Sequence, residues 1–194
     1  MRIQMIISGV GGQGVLFATR IFSVMAMTEG NDLIGSETHG MSQRGGSVIT
    51  HLKIGDFESP LVERGRADVL LCLEKSEAYR ALPYIRQRTR DRDGGICFVN
   101  APAADFLDGR VSRYLEEKGV EILVFPAGEL AREMGSPRSA NIALIGFASA
   151  HPRLPFSPER LRSTIGEITP PGFREISLKI FDKALMEGRN TFRS

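Results

Sequence analysis

Three short runs of uninterrupted apolar residues constrain this chain more than any other feature: Val69-Leu70-Leu71-Cys72-Leu73, Ile96-Cys97-Phe98-Val99, and Glu121-Ile122-Leu123-Val124-Phe125 after its leading glutamate. Segments of helical character separate them. A strand without polar alternation must be covered on both faces, as in a parallel sheet flanked by helices. Residues 2–8 form a fourth short, β-rich and largely apolar run and end at a glycine loop. The expected fold is therefore α/β: a Rossmann-like, mostly parallel sheet with helices on both faces.

One strand departs from that series. Val48, Thr50, Leu52 and Ile54 alternate with Ile49, His51 and Lys53, the period-two pattern of a half-buried strand. Too few residues precede it for a helical crossover, so it is expected to be antiparallel or at an edge. Leu33-Ile34-Gly35 reads as a short strand before it. Residues 15–28 read as a helix whose polar positions Thr19, Arg20 and Ser23 share a narrow stripe, so it should be covered on most sides. Residues 139–150 make an apolar helix. Ser157 and Pro158 open another with serine at N-cap and proline at N1. Pro170-Pro171-Gly172 is expected to break the chain before a last amphipathic helix ending near Gly188. The mixed-charge run 86–93 reads as a solvated loop.

At 194 residues the chain is expected to be a single domain, 1–194, with its C-terminal helices 157–188 packed on it. The formal net charge of +2 does not argue for nucleic acid. No apolar stretch is long enough to span a bilayer, and the N-terminus lacks a signal-peptide pattern, so a cytoplasmic location is expected. The two cysteines, Cys72 and Cys97, sit in strand-like runs and form no Cys-x-x-Cys pair; two thiols cannot ligate an iron–sulfur cluster by the usual four-cysteine route.

Two glycine-rich loops carry the candidate chemistry. Gly9, Gly11 and Gly14 satisfy G-x-G-x-x-G between a predicted strand and a predicted helix, with Gly12 and Gln13 inside the turn. Such a loop brings backbone amides and a helix N-terminus to an anion; it also serves as a tight turn with no ligand. It is not a Walker A loop, and of the nearby acidic residues neither Asp32 nor Glu37 clearly caps a strong strand, as a nicotinamide site requires. The second loop runs from Ser36 to Ser47. Gly40, Gly45 and Gly46 permit close backbone approach. Arg44 can fork onto a phosphate or carboxylate, or serve an ordinary ion pair. Thr38 and Gln43 offer directional hydrogen bonds, and His39 is of the residue type that can titrate near neutral pH.

The pairing of GVGGQGV with ETHGMSQRGGSV resembles the gamma-type domain of the 2-oxoacid:ferredoxin oxidoreductases. Within that family the wording is most similar to the beta subunits of the indolepyruvate enzymes. The resemblance continues through Glu58–Leu61, Ala67–Leu70, Glu74–Ala78 and Asn141–Gly146, and so covers nearly the whole chain. The chain departs from the family pattern in the longer run 86–93 and at Ser177-Leu178 and Met186-Glu187-Gly188. The resemblance implies a reaction: an aryl-pyruvate, coenzyme A and oxidised ferredoxin give an aryl-acetyl-CoA, carbon dioxide and reduced ferredoxin. It implies thiamine diphosphate with Mg and iron–sulfur clusters on a larger alpha subunit, with coenzyme A as substrate. This chain has no Gly-Asp-Gly…Asn motif for thiamine diphosphate, so no catalytic residue or metal ligand is assigned to it. It is expected to bind no cofactor alone and to be inactive without its partner.

In an open α/β sheet, ligands gather at the carboxyl ends of the strands. Gly9, Glu74 and Asn100 each follow a predicted strand and should share one edge, with the Arg44 loop folding over it. Glu74 would contact a ligand or cap the next helix; Asn100 reads as a turn residue; Asn141 would be a helix cap or a contact to the glycine loop. The expectation is a site-completing subunit. The alternatives are a self-contained Rossmann oxidoreductase binding NAD(P) or flavin, and a pure interaction module.

Overall fold

A computed structural model describes residues 1–40, 45–102 and 107–193, the side chain of His39 excepted. Six strands form one sheet in the order β2-β3-β1-β4-β5-β6. They are β1 Ile3–Val10, β2 Leu33–His39, β3 Ser47–Ile54, β4 Val69–Cys72, β5 Ile96–Asn100 and β6 Glu121–Phe125. The pairs β1–β4, β4–β5 and β5–β6 are parallel. β3 runs antiparallel to both its neighbours, β1 and β2. It is thus antiparallel as expected, but interior; β2 takes the edge, and it extends well beyond Leu33-Ile34-Gly35.

The α-helices are α1 Val15–Thr28, α2 Lys75–Ala81, α3 Gly109–Glu117, α4 Ala127–Glu133, α5 Ala140–Ser149, α6 Pro158–Ile168 and α7 Pro171–Phe192. Alternate strand residues enter two cores. Met5, Ile7, Leu71 and Phe98 face the α1, α5, α6 and α7 side, while Ile6, Leu70, Cys72, Cys97 and Val99 face α2 and α3. Both cysteines are fully buried, with their sulfurs 3.9 Å apart. Burial and the neighbouring Cys72 thiol push the Cys97 thiol well above its ordinary value, with the hydrogen bond to Cys72 the larger cause. Cys97 therefore packs as a neutral thiol.

Two details differ from expectation, and one loop is exposed as expected. α1 leaves Leu16, Arg20 and Met27 exposed along one stripe, so the single chain covers it on fewer sides than its apolar sequence suggests. α7 begins at Pro171 itself, because proline's missing N–H and fixed φ suit the first helical position. It then runs on past Gly188 to Phe192. The run 86–93 is mostly exposed but anchored: Arg86 and Arg92 both pair with Asp68, just before β4.

β3 is buried on both faces rather than half-buried. Segment 55–67 lies over the polar-looking side, leaving His51 and Lys53 only 5% and 6% exposed. The His51 Nδ1 accepts the Val62 N–H at 3.0 Å, and the ring meets Tyr84 edge-on. Burial first, and then the Lys53 charge, hold its pKa below the ordinary 6.5. Above that value the imidazole is neutral folded or unfolded, and its contribution to stability is fully present. As pH falls through it, the unfolded chain takes up a proton that the folded chain refuses, and stability drops. Urea midpoints compared between about pH 7.5 and about pH 5.5 should therefore fall more in the wild type than in His51→Asn, whose amide oxygen can still accept the Val62 N–H.

Candidate functional site

The site starts where β1 ends. Gly12 and Gly14 take left-handed φ values of 101° and 79°, which let the chain reverse within four residues. The Gln13 N–H donates to the Val10 carbonyl at 3.0 Å, and the Gln13 side chain accepts the Val10 N–H at 2.8 Å. The same side chain donates to Glu74 at 3.0 Å, tying the turn to the end of β4. A Cβ on Gly9 would lie 2.9–3.1 Å from Gln13, Val15 and Leu73, so this glycine allows close packing of the turn against the sheet. α1 opens from Gly14 without a side-chain cap, and its first amides have no intrahelical acceptor. The positive end of the helix dipole is therefore presented at this turn. Asn141 buttresses it from α5: its Nδ2 donates to the Gly14 carbonyl at 3.0 Å and its Oδ1 accepts the Ile142 N–H at 2.8 Å.

The second loop arrives at the same rim because β3 is antiparallel. Val10 pairs with Ser47, so the start of β3 lies beside the end of β1. The Gly11 N–H donates to the Gly46 carbonyl at 2.9 Å, a direct bond between the two glycine loops. Gly40 N–H to Ser47 O, 2.8 Å, closes the hairpin, and Gly45 adopts a left-handed φ of 76°. Ser47 donates to the buried Glu77 carboxylate of α2 at 2.5 Å. Thr38 is exposed on β2, and the His39 backbone pairs with Val48. Gln43 and Arg44 lie outside the described residues.

Two cavities flank the first turn. One, of about 540 Å³, lies between Gly12, Gly14, Phe17, the 3-10 turn Pro137–Ser139 and the α6–α7 junction. Phe173 overhangs it, and the buried Thr169 hydroxyl on its wall has no hydrogen-bond partner among the described residues. The other, of about 360 Å³, is lined by Gln13, Glu74, Asn100, Arg132 and Arg138, among others. Asn100 ties this side together, donating to the Leu73 carbonyl at 3.1 Å and accepting the Gly128 N–H at 2.9 Å. Arg138 borders both cavities. Helix N-terminus, two guanidinium groups and two phenyl rings suit a ligand with an anionic part beside an apolar one. Sequence reading missed Arg132, Arg138 and Thr169. Gly135-Ser136-Pro137 signals a turn but not what it faces.

The sheet order also bears on nicotinamide binding. In the classical fold the acidic residue that holds the ribose ends the parallel strand next to β1. Here β3 occupies that place with the opposite direction. Glu37 lies on β2, one strand further out, and Asp32 precedes β2 at the other end of the sheet. Among the described residues no group of three His, Cys, Asp or Glu is placed to hold a metal ion, and no helix is long and apolar enough to cross a membrane. Among the described residues the two buried cysteines face each other rather than a cavity.

Residues 4–187 match the pyruvate ferredoxin/flavodoxin oxidoreductase family, and the chain belongs to it. Indolepyruvate oxidoreductase subunit IorB of Pyrococcus horikoshii is 35% identical over 192 residues, with 92% of each chain covered. The gamma subunit of a keto/oxoacid ferredoxin oxidoreductase from Geobacter sulfurreducens shares the fold with a TM-score of 0.72 at 22% identity, over 97% of this chain and 99% of that one. The same fold occupies 31% of a longer chain in a 2-oxoglutarate:ferredoxin oxidoreductase from Magnetococcus marinus, with a TM-score of 0.68 at 16% identity over 99% of this chain.

Proposed function

We propose that this chain, acting as one unit, is the site-completing subunit of a thiamine-dependent 2-oxoacid:ferredoxin oxidoreductase. The substrate class is an aryl-pyruvate of the indolepyruvate kind, with coenzyme A as acyl acceptor and ferredoxin as electron acceptor. A larger alpha subunit supplies thiamine diphosphate, Mg and the iron–sulfur clusters; this chain supplies the glycine rim. The bond from Gly11 to Gly46 carries the reading, because it unites the two family loops on one edge. Identity of 35% over 92% of each chain with an indolepyruvate subunit favours that substrate over the other acids used in the family. Occurrence of the same fold within a longer chain supports a permanent association.

On this reading Gly9, Gly11, Gly12, Gln13 and Gly14, with Glu74 and Asn141, shape the turn. Thr38, His39, Gly40, Gln43, Arg44, Gly45 and Gly46 meet ligand or partner. The exposed Leu16 and Phe173 beside the rim are the apolar contacts that such an interface would bury. Coexpression with the large subunit should give a stable complex that reduces viologen only with an aryl-pyruvate and coenzyme A present, while either chain alone is inactive. Full activity in the isolated small chain would defeat the proposal. Arg44→Ala should lower activity of the assembled complex about tenfold, the worth of one charged hydrogen bond, without moving the chain's own unfolding midpoint. Unchanged activity at equal assembly would remove Arg44 from the site.

A further inference from the structure

At the end of the sheet opposite the glycine rim, Arg2, Gln4, Lys53, Phe57, Asp68 and Arg92 are among the residues lining a cavity of about 570 Å³. Lys53 is only 6% exposed. Its ammonium lies 5.2 Å from the centre of the Phe57 ring, and the Arg2 guanidinium lies 4.5 Å from the same ring. Segment 55–67 therefore holds two cations around one phenyl group. Two carboxylates share the cavity, and both are already engaged. Asp68 accepts the Gln4 N–H at 2.8 Å and pairs with Arg86 and with Arg92, the latter at 3.3 Å. Glu63 pairs with Arg66 at 3.9 Å.

No carboxylate among the described residues reaches Arg2 or Lys53. The Lys53 stem is packed away from solvent while its ammonium faces this open cavity, and a phenyl face neutralises no charge. The surroundings respond to the excess positive field. After burial, Lys53 is the cause that lowers the His51 pKa, and Arg92 and Arg153 lower that of Arg86. The cavity volume falls within the range of small-molecule sites.

We propose that this cavity is a binding site for a small, multiply charged oxyanion, which pairs with the Lys53 ammonium and the Arg2 guanidinium. Phosphate-bearing or polycarboxylate ions satisfy the geometry equally, because two cations flanking an open cavity read charge and oxygen donors rather than identity. The inference rests on residues apart from the glycine rim and holds whichever 2-oxoacid the complex uses.

Calorimetric titration of the full chain with inorganic pyrophosphate, in chloride buffer of constant ionic strength, tests it. One saturable site is expected, together with a higher unfolding midpoint in its presence. Lys53→Met keeps the stem and removes the charge; it should weaken binding by about thirtyfold, the loss typical of one member of a buried charge pair. Arg2→Gln changes an exposed residue and should weaken binding by about tenfold, so the outcome does not depend on Lys53→Met folding. Absence of binding, or equal affinity in wild type and Arg2→Gln, would overturn the site.

Discussion

Gly146→Val should unfold this chain at far lower denaturant than the wild type, losing about 4 kcal/mol or more of stability. Gly146 is fully enclosed at the middle of α5, a helix with every residue from Asn141 to Ser149 buried. A Cβ there would stand 2.6 Å from the Phe181 backbone carbonyl of α7 and 3.1 Å from the Ala184 Cβ. α7 answers with Gly188, whose Cβ would lie 2.6 Å from the Phe147 carbonyl. The two helices thus approach through paired glycines, and a backbone carbonyl cannot swing aside as a side chain can. Even Gly146→Ala should destabilise: the helix preference for alanine contributes about 1 kcal/mol, while overpacking costs ~1–3 kcal/mol. Gly166 of α6 is the control. Its Cβ would meet only the Leu178 side chain at 3.7–3.8 Å, so Gly166→Ala should stabilise by about 0.5–1 kcal/mol. Urea unfolding with unchanged slope reads both signs. If both alanines stabilise, the close crossing is wrong.

Those glycines mark the limit of what sequence patterning can reveal. β4, β5 and β6 are legible because continuous apolar runs have one stable environment, and the α1 limits coincide with the loop before it and the polar residues after it. β3 is legible as antiparallel from the length of chain available for a crossover. Its interior position is not, since that depends on which strand pairs with β1. Burial of His51 and Lys53 is equally hidden: two polar side chains in an alternating pattern look solvated until segment 55–67 is known to cover them. At the rim, the meeting of the two glycine loops follows from β3 running back beside β1. Arg132, Arg138 and Thr169 come from separate stretches of chain with no shared period, so only tertiary packing brings them to the cavities. A glycine inside a helical run hints at close approach, yet nothing local says that Gly146 meets α7.

At the rim, Gly14→Ala should impair the assembled enzyme more than it impairs the chain. Gly14 holds φ at 79°, and a Cβ would fall 2.4 Å from the Asn141 Nδ2, the atom that donates to the Gly14 carbonyl. Alanine in the left-handed region costs ~1–2 kcal/mol, and displacing the Asn141 amide forfeits about 1 kcal/mol of hydrogen bonding. A stability loss of about 2–3 kcal/mol is therefore expected. Activity of the complex should fall by tenfold to about a hundredfold, because the same strain shifts the first amides of α1 against whatever they face. A second substitution separates the two effects. Asn141→Ala removes the colliding group, so the Gly14→Ala, Asn141→Ala pair should be less destabilised than the two singles together, by about 1 kcal/mol. It does not return the Gly14 carbonyl to its tether, so activity should remain low at equal assembly. Activity recovering in step with stability would mean that the turn serves folding alone, and that the rim takes no part in the shared site.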